Sequence, residues 1–299
     1  MSVFTPLNAD QIQQLLAAQQ LTLLHFSPAS EGIENSNFFV TTDNAQGMEQ
    51  EWVLTLLEQL DMTQAIWFQA LLTRLENEDL PVAVPQGDLQ QFAGKPVLLA
   101  PRLVGRHPAR PTPSQVHAIG QVLARLHDCG FALPSPVPDE RARLVELTQQ
   151  LPLLPANWRA RASRLLADWQ AVTGEKRLIH GDLFRDNALF EGDRLTGLLD
   201  FYNASYELPV YDLAVALNDW ALDEQGEADA QLEQALLSGY AQVAPLPTPE
   251  LLPQALAVAA LRFWLSRLAS QRRASAGRGS KSPAEFAAKT ALRWVGLTR

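Results

Sequence analysis

The sequence predicts an α+β chain in two parts, a small β-rich N-terminal lobe and a larger, mainly helical remainder. Three observations carry this. Short β-branched and aromatic runs such as FFVTT (38–42), WVLTLL (52–57) and PVLLA (96–100) fall in the first third. After Arg102 apolar residues recur at helical spacing, with one β-like interruption near residues 187–201. Charge divides at the same place: residues 1–100 hold twelve acids against only Arg74 and Lys95, about −10, whereas the rest carries about +1. We therefore expect an N-lobe over 1–100 and a helical C-lobe over 101–299.

The elements follow in order. Asn8 opens an amphipathic helix with Ile12, Leu15 and Leu16 on one face. FFVTT and WVLTLL flank the turn-rich DNAQG and read as a hairpin. A helix over about 63–77, then DLPVAVP and more short β text, leads to a connector near 100–105. Thr112-Pro113-Ser114-Gln115 is a helix start, with a Thr cap, Pro at the first helical position and Gln three residues after the cap. Ile119, Val122, Leu123 and Leu126 then form its apolar face. Helical text fills 140–172 and 229–270, and Ser282-Pro283-Ala284-Glu285 repeats the start signal. Between them NALF (187–190), the turn EGDR and LTGLLDF (195–201) form the one β-hairpin of this part. Trp67, Phe68, Trp158 and Trp169 lie at helical spacing and read as core. The basic, Gly/Ser-rich run RRASAGRGSK (272–281) reads as an exposed loop or a lid before the last helix.

Composition narrows the function classes. With 299 residues, 47% hydrophobic and 19% charged, the chain can bury a substantial core and is not disordered. A net charge of −9 argues against nucleic acid as the main partner, since backbone binding needs a basic face. One cysteine, Cys129, excludes an intrachain disulfide framework and a cysteine-based metal site, and fits a reducing compartment. MSVFTPLNADQIQQ lacks the segments of a signal peptide, and ALAVAALRFWL (255–265), broken by Arg262, is too short to span a bilayer. The expectation is a cytoplasmic protein without a membrane partner, monomeric or a small homo-oligomer.

The chemistry concentrates in LIHGDLFRDNALF (178–190) and LLDF (198–201). Asp182, Asn187 and Asp200 are oxygen-bearing side chains at the start of one strand and the end of its hairpin partner. Hairpin closure would bring Asn187 and Asp200 together, and two hard oxygen ligands suit Mg2+, which also favours phosphate. Asp182, ahead of the strand, would accept a proton beside that metal. A lone Asp or Asn at a turn is usually a cap, but the joint pattern H-G-D-x4-N followed by an apolar strand and L-L-D-F supplies the parts of phosphoryl transfer with ATP. His180, with no second histidine nearby, reads as a scaffold residue holding the loop.

IHGDLFRDN…LLDF resembles the catalytic loop and metal-binding segment of the aminoglycoside phosphotransferase-like kinases, two-lobed relatives of protein kinases. Residues 183–222, with FRDN, DFY, YDLA and NDW in order, are similar to the bacterial type II homoserine kinases within that superfamily. So are GIENSNFFV (32–40), VLTLLE (53–58), LPV (80–82), AGKPVLLAPRLVG (93–105), the PT…G…LARLH run (111–127), LRFWLSRL (261–268) and SPAEF (282–286). The resemblance implies a protein-kinase-like fold and phosphorylation of the homoserine hydroxyl, a step toward threonine. It implies Asp182 as catalytic base and Asn187 and Asp200 on Mg2+, with Asp212 bracing the catalytic loop. Residues 31–37, including Gly32, Asn35, Ser36 and Asn37, would cover the ATP phosphates; 98–105, with Pro101 and Leu103, would read adenine through its backbone. The usual strand lysine is Thr55 in VLTLLE, and the matching stretch of the following helix, IWFQALLTRL (66–75), has no acid, so Arg185 is expected to help carry phosphate charge. Neither Arg74 nor Lys95, in an AGKP turn, fits the missing position. For the amino acid, Arg262 is expected on the carboxylate and Asp219 on the ammonium. Two alternatives stand beside this reading: a kinase of the same superfamily for an aminoglycoside, choline or another amino alcohol, and a nucleotide-binding regulatory pseudokinase.

Overall fold

The computed structural model describes residues 4–29, 35–43, 47–129, 138–273 and 282–297. The chain divides into two compact units, Met1–Val104 and Gly105–Arg299, against the expected lobes of 1–100 and 101–299.

In the first unit, α1 (Ala9–Ala17) begins at Asn8, whose side chain accepts the Gln11 N–H while the Gln11 side chain accepts the Asn8 N–H. Five antiparallel strands follow: β1 (Thr22–Pro28), β2 (Ser36–Asp43), β3 (Glu49–Leu56), β4 (Gln90–Phe92) and β5 (Lys95–Pro101), in the order β1-β2-β3-β5-β4. The expected hairpin is β2–β3, with Asn37 opposite Thr55. Ile12, Leu15 and Leu16 of α1 join Phe38, Val40, Trp52, Leu54, Val97 and Leu99 in one buried cluster. β2 alternates buried and half-buried residues along its length, the period-two pattern of a strand covered more on one face. α2 (Met62–Asn77) buries Ala65, Phe68, Leu71, Leu72 and Leu75.

The second unit holds α3 (Pro113–Asp128), α4 (Glu140–Leu147), α5 (Ala156–Ala171), the strand β6 (Arg177–Ile179), the hairpin β7 (Ala188–Glu191) and β8 (Arg194–Leu198), then β9 (Ser205–Glu207), α6 (Pro209–Trp220), α7 (Ala230–Val243), α8 (Leu252–Arg273) and α9 (Pro283–Leu297). Thr112 caps α3 through Gln115, with Pro113 at its first turn. The expectation of a single β interruption is corrected: besides β7–β8, β6 pairs antiparallel with β9. Three-residue strands are too short to show a period. α6 is also hidden from periodicity, because every residue from Val210 to Trp220 is buried and no polar face alternates with an apolar one. In the run 272–281, Arg272 and Arg273 end α8, and the expected loop or lid at 274–281 lies outside the described residues. Among the described residues no helix is long and apolar enough to cross a membrane.

Candidate active site

The site of the second unit is built on the turn that follows β6. Asp212, on α6 and fully buried, accepts the backbone N–H of His180 at 2.8 Å and of Gly181 at 2.8 Å, one on each carboxylate oxygen. His127 of α3 approaches the same carboxylate at 3.1 Å. Burial alone would raise the Asp212 carboxyl, but the His127 hydrogen bond and charge, His180 and the Gly181 N–H together hold it below the ordinary range. The His180 ring is fully enclosed; burial lowers its pKa despite Asp212, so the neutral form is favoured. Its Nδ1 accepts the Asp182 N–H at 3.3 Å, and its Nε2 donates to the Leu199 carbonyl at 2.9 Å. The ring thus ties the turn to the end of β8. Gly181 has φ +75°, and a Cβ there would lie 2.7 Å from the Asn203 carbonyl oxygen.

Asn187 closes the turn from its other end. Its side-chain nitrogen donates to the Asp182 carbonyl at 2.7 Å, which leaves the amide oxygen as the group able to meet a cation. The Leu199 N–H bonds the Asn187 carbonyl at 2.9 Å, so Asp200 follows directly on the residue paired with Asn187. Asp200 is exposed and held in the left-handed region, φ 59° and ψ 48°, a conformation costing a non-glycine residue of order 1–3 kcal/mol. An amide oxygen and an exposed carboxylate make a sparse, hard-oxygen donor set. That fits Mg2+ completed by phosphate and water, and fits no dedicated all-protein cage; among the described residues no group of three His, Cys, Asp or Glu could hold a metal.

The residues expected to read phosphate and amino acid lie differently. Arg185 turns its guanidinium to Asp219, Nε to Oδ2 at 3.1 Å, and its backbone N–H reaches the same oxygen at 2.8 Å. Lys289 of α9 sits 3.5 Å from the other Asp219 oxygen and 4.8 Å from the Phe286 ring centroid. Burial would raise the Asp219 carboxyl, but Lys289 and Arg185 outweigh it and hold it below its ordinary range. Asp219 is therefore balanced by two cations of its own fold. Arg262, only 4% exposed, gives Nη2 to Asn203 Oδ1 at 3.0 Å and has Nε 3.4 Å from Oε1 of the fully buried Glu140. Its charge is likewise met within the fold. Sequence reasoning had no motif for Glu140 or Lys289, which sit in ordinary helical text; Asn203 stood in view in DFYN, but spacing could not say what it touches.

In the first unit Gly32 lies outside the described residues. Asn35 Oδ1 accepts the Glu58 N–H at 3.1 Å, and Ser36 Oγ donates to Glu58 Oε1 at 2.6 Å. Asn37 Oδ1 accepts the Thr55 hydroxyl at 2.7 Å, so the threonine at the expected lysine position cross-links β3 to β2. Lys95 opens β5, beyond the turn where the sequence placed it, and forms an ion pair with Glu58. Burial would raise Glu58, but Lys95 and then Ser36 and Thr5 bring it below the ordinary range. Pro101 ends β5 opposite Trp52, and Leu103 is half-buried just beyond it.

Residues 25–246 match the model of the phosphotransferase enzyme family. A homoserine kinase of Pseudomonas aeruginosa is 39% identical, over 98% of this chain and 96% of its own length. A homoserine kinase of Methylobacillus flagellatus is 36% identical, over 96% and 93%. Among solved structures, an amicoumacin kinase in complex with AMP-PNP, Ca2+ and Ami superposes with a TM-score of 0.70 at 16% identity, over 95% of this chain and 92% of that one. A choline kinase of Streptococcus pneumoniae superposes with a TM-score of 0.67 at 15% identity, over 96% and 97%. These structural likenesses bear on the fold.

Proposed function

This chain belongs to the homoserine kinases of the phosphotransferase enzyme family, and from that premise we propose how its residues phosphorylate the L-homoserine hydroxyl with ATP. The observation that carries the assignment of roles is the turn 180–187, whose ends are tied by the Asn187 amide on the Asp182 carbonyl.

Asp182 is the acceptor of the hydroxyl proton. Its backbone is fixed at both ends, by the His180 ring on its N–H and by Asn187 on its carbonyl, so its carboxylate starts from a set origin. Orienting a hydroxyl for in-line attack is mostly a matter of such positioning. Asn187 and Asp200 would hold Mg2+, which when bound neutralises phosphate charge. Asp212 braces the loop, and His180 serves it as scaffold. In the first unit the backbone of 31–37 is assigned to the ATP phosphates, with the side chains of Asn35, Ser36 and Asn37 spent on Glu58 and Thr55. The backbone at Pro101 and Leu103 is assigned to adenine. Arg185 is assigned to holding Asp219 beside the catalytic turn, not to phosphate. Asp219 and Arg262 are not assigned to the substrate, because a buried charge already paired gains little from a second partner and loses its first.

ADP release with Mg-ATP across homoserine, serine, threonine, choline and kanamycin tests the substrate. Turnover is expected with homoserine above all others, and none with homoserine refutes the reading. Asp182→Asn should lower kcat by about 10^2–10^4-fold while ATP binding, followed by calorimetry, stays near wild type. Loss of binding as well would make Asp182 a structural residue.

A further inference from the structure

We propose that Asn203 is a positioning residue that aims the Asp182 carboxylate, and that Arg262 and Glu140 hold it in place from the helical core. The inference rests on the reading of Asp182 as acceptor of the hydroxyl proton.

Asn203 lies in the short turn between β8 and β9, and its amide is used at both ends. Nδ2 faces Asp182 Oδ2 at 3.3 Å, and Oδ1 accepts Arg262 Nη2 at 3.0 Å. A guanidinium can only donate, so the amide oxygen must face Arg262 and the NH2 must face the carboxylate. Arg262 therefore decides which way the amide points. Arg262 cannot swing away: its guanidinium carbon lies 4.0 Å from the Phe263 ring centroid, and its Nε is held to Glu140. Glu140, fully buried, also accepts the Tyr211 hydroxyl at 3.0 Å and pairs with Arg143 at 2.5 Å. Arg143 in turn reaches the Asn203 carbonyl at 3.4 Å, and that same carbonyl is the atom a side chain at Gly181 would strike. Both the main chain and the side chain of Asn203 are thus fixed against the catalytic turn. Side chains from α4, the β8–β9 turn, α6 and α8 converge on the aim of one carboxylate.

The chemistry suits an amide. Lys or Arg at this position would form a charge-assisted bond roughly twice as strong and compete with the substrate hydroxyl for the carboxylate. Asn donates one neutral hydrogen bond to one oxygen, which sets the carboxylate plane without adding charge. A shift of the acceptor by about 1 Å costs on the order of 10^2 in rate, so the amide's effect should fall on turnover and spare binding.

The test measures kcat, both KM values and the melting temperature for Asn203→Leu and Asn203→Asp, each alone and combined with Asp182→Asn. Asn203→Leu removes the donor at similar volume. Asn203→Asp keeps an acceptor for Arg262 but loses the donor, so it reports on aiming even if the leucine variant folds poorly. Each single variant should lower kcat by about 10–100-fold and leave KM for ATP and homoserine within about twofold. In the Asp182→Asn background the same substitution should change kcat by less than about twofold, because a residue acting through Asp182 has nothing left to aim. Wild-type kcat in both single variants overturns the proposal, as does an equal fold-loss with and without the Asp182 carboxylate. If Asp182→Asn itself turns over like wild type, the reading of Asp182 fails and takes this inference with it. If Asp182→Asn is inactive and the Asn203 variants are unimpaired, only the inference fails.

Discussion

Asp212 shows how a buried charge can be worth keeping. Its two oxygens accept two main-chain N–H groups and meet His127, all inside a site closed to water. Asp212→Asn keeps the shape but replaces an acceptor with a donor, setting an N–H against an N–H and leaving His127 without its anion. Breaking a buried, hydrogen-bonded charge in this way costs about 3–5 kcal/mol. Denaturant unfolding should show that loss, and kcat should fall with it because His180 and Gly181 are the residues being held. A variant as stable as wild type would mean that water or another group satisfies the turn. At this scale the sequence was legible wherever a residue acts through its neighbours in the chain. The spacing of Asp182, Asn187 and Asp200 follows from one turn and one hairpin, so it survives in the text. Arg262 and Asp219 were legible only as charges, since their partners come from helices far away in sequence.

Helices α3 and α7 meet through two glycines. A Cβ on Gly239 would lie 2.1 Å from the His117 carbonyl oxygen, and one on Gly120 2.1 Å from that of Leu236. Both neighbours are backbone atoms, which cannot rotate aside. Alanine would gain about 1 kcal/mol of helix propensity over glycine, but forcing two helices apart costs typically about 1–3 kcal/mol and sometimes more. Gly239→Ala should therefore lower the melting temperature, by roughly 2–4 °C per kcal/mol lost in a unit of this size. A rise in the melting temperature would show that the crossing has room. The helix starts at Asn8 and Thr112 and the β2–β3 and β7–β8 hairpins were readable, because caps, turns and alternation are local physics. β6–β9 and α6 were not. The first is too short to carry a pattern, and the second is buried all round, so its text looks like any apolar run.

The shifted groups that titrate on the acid side of neutrality point one way in pH, whereas Tyr211 and Tyr240, whose hydroxyls burial pushes above the ordinary 10.0, act at the alkaline end. His180, Asp212, Asp219 and Glu58 all have folded pKa values below their ordinary ones. A depressed group releases its proton more readily when folded, so its contribution is complete above the unfolded pKa and is lost as pH falls through the folded one. Loss from His180 should begin as pH drops below its ordinary 6.5, that from Glu58 below 4.5, and that from Asp212 and Asp219 below 3.8. Melting temperature against pH should then be level from neutrality until it declines above the ordinary tyrosine 10.0, where Tyr211 and Tyr240 of the unfolded chain ionise first, slope down gently below 6.5 and fall steeply in acid; a rise between about pH 6.5 and 5 would contradict these signs. By itself the sequence determined the α+β class, the two-part division of charge and pattern, the turn here proposed as catalytic, and through its resemblance the family. Each depends on residues close in the chain or on many positions summed. Only the tertiary structure decided that Thr55 cross-links two strands, that Arg185 and Lys289 belong to Asp219, and that Arg262 reaches Asp182 through Asn203. Those pairings join distant segments, and which charges meet is settled by how helices pack, not by any spacing along the chain.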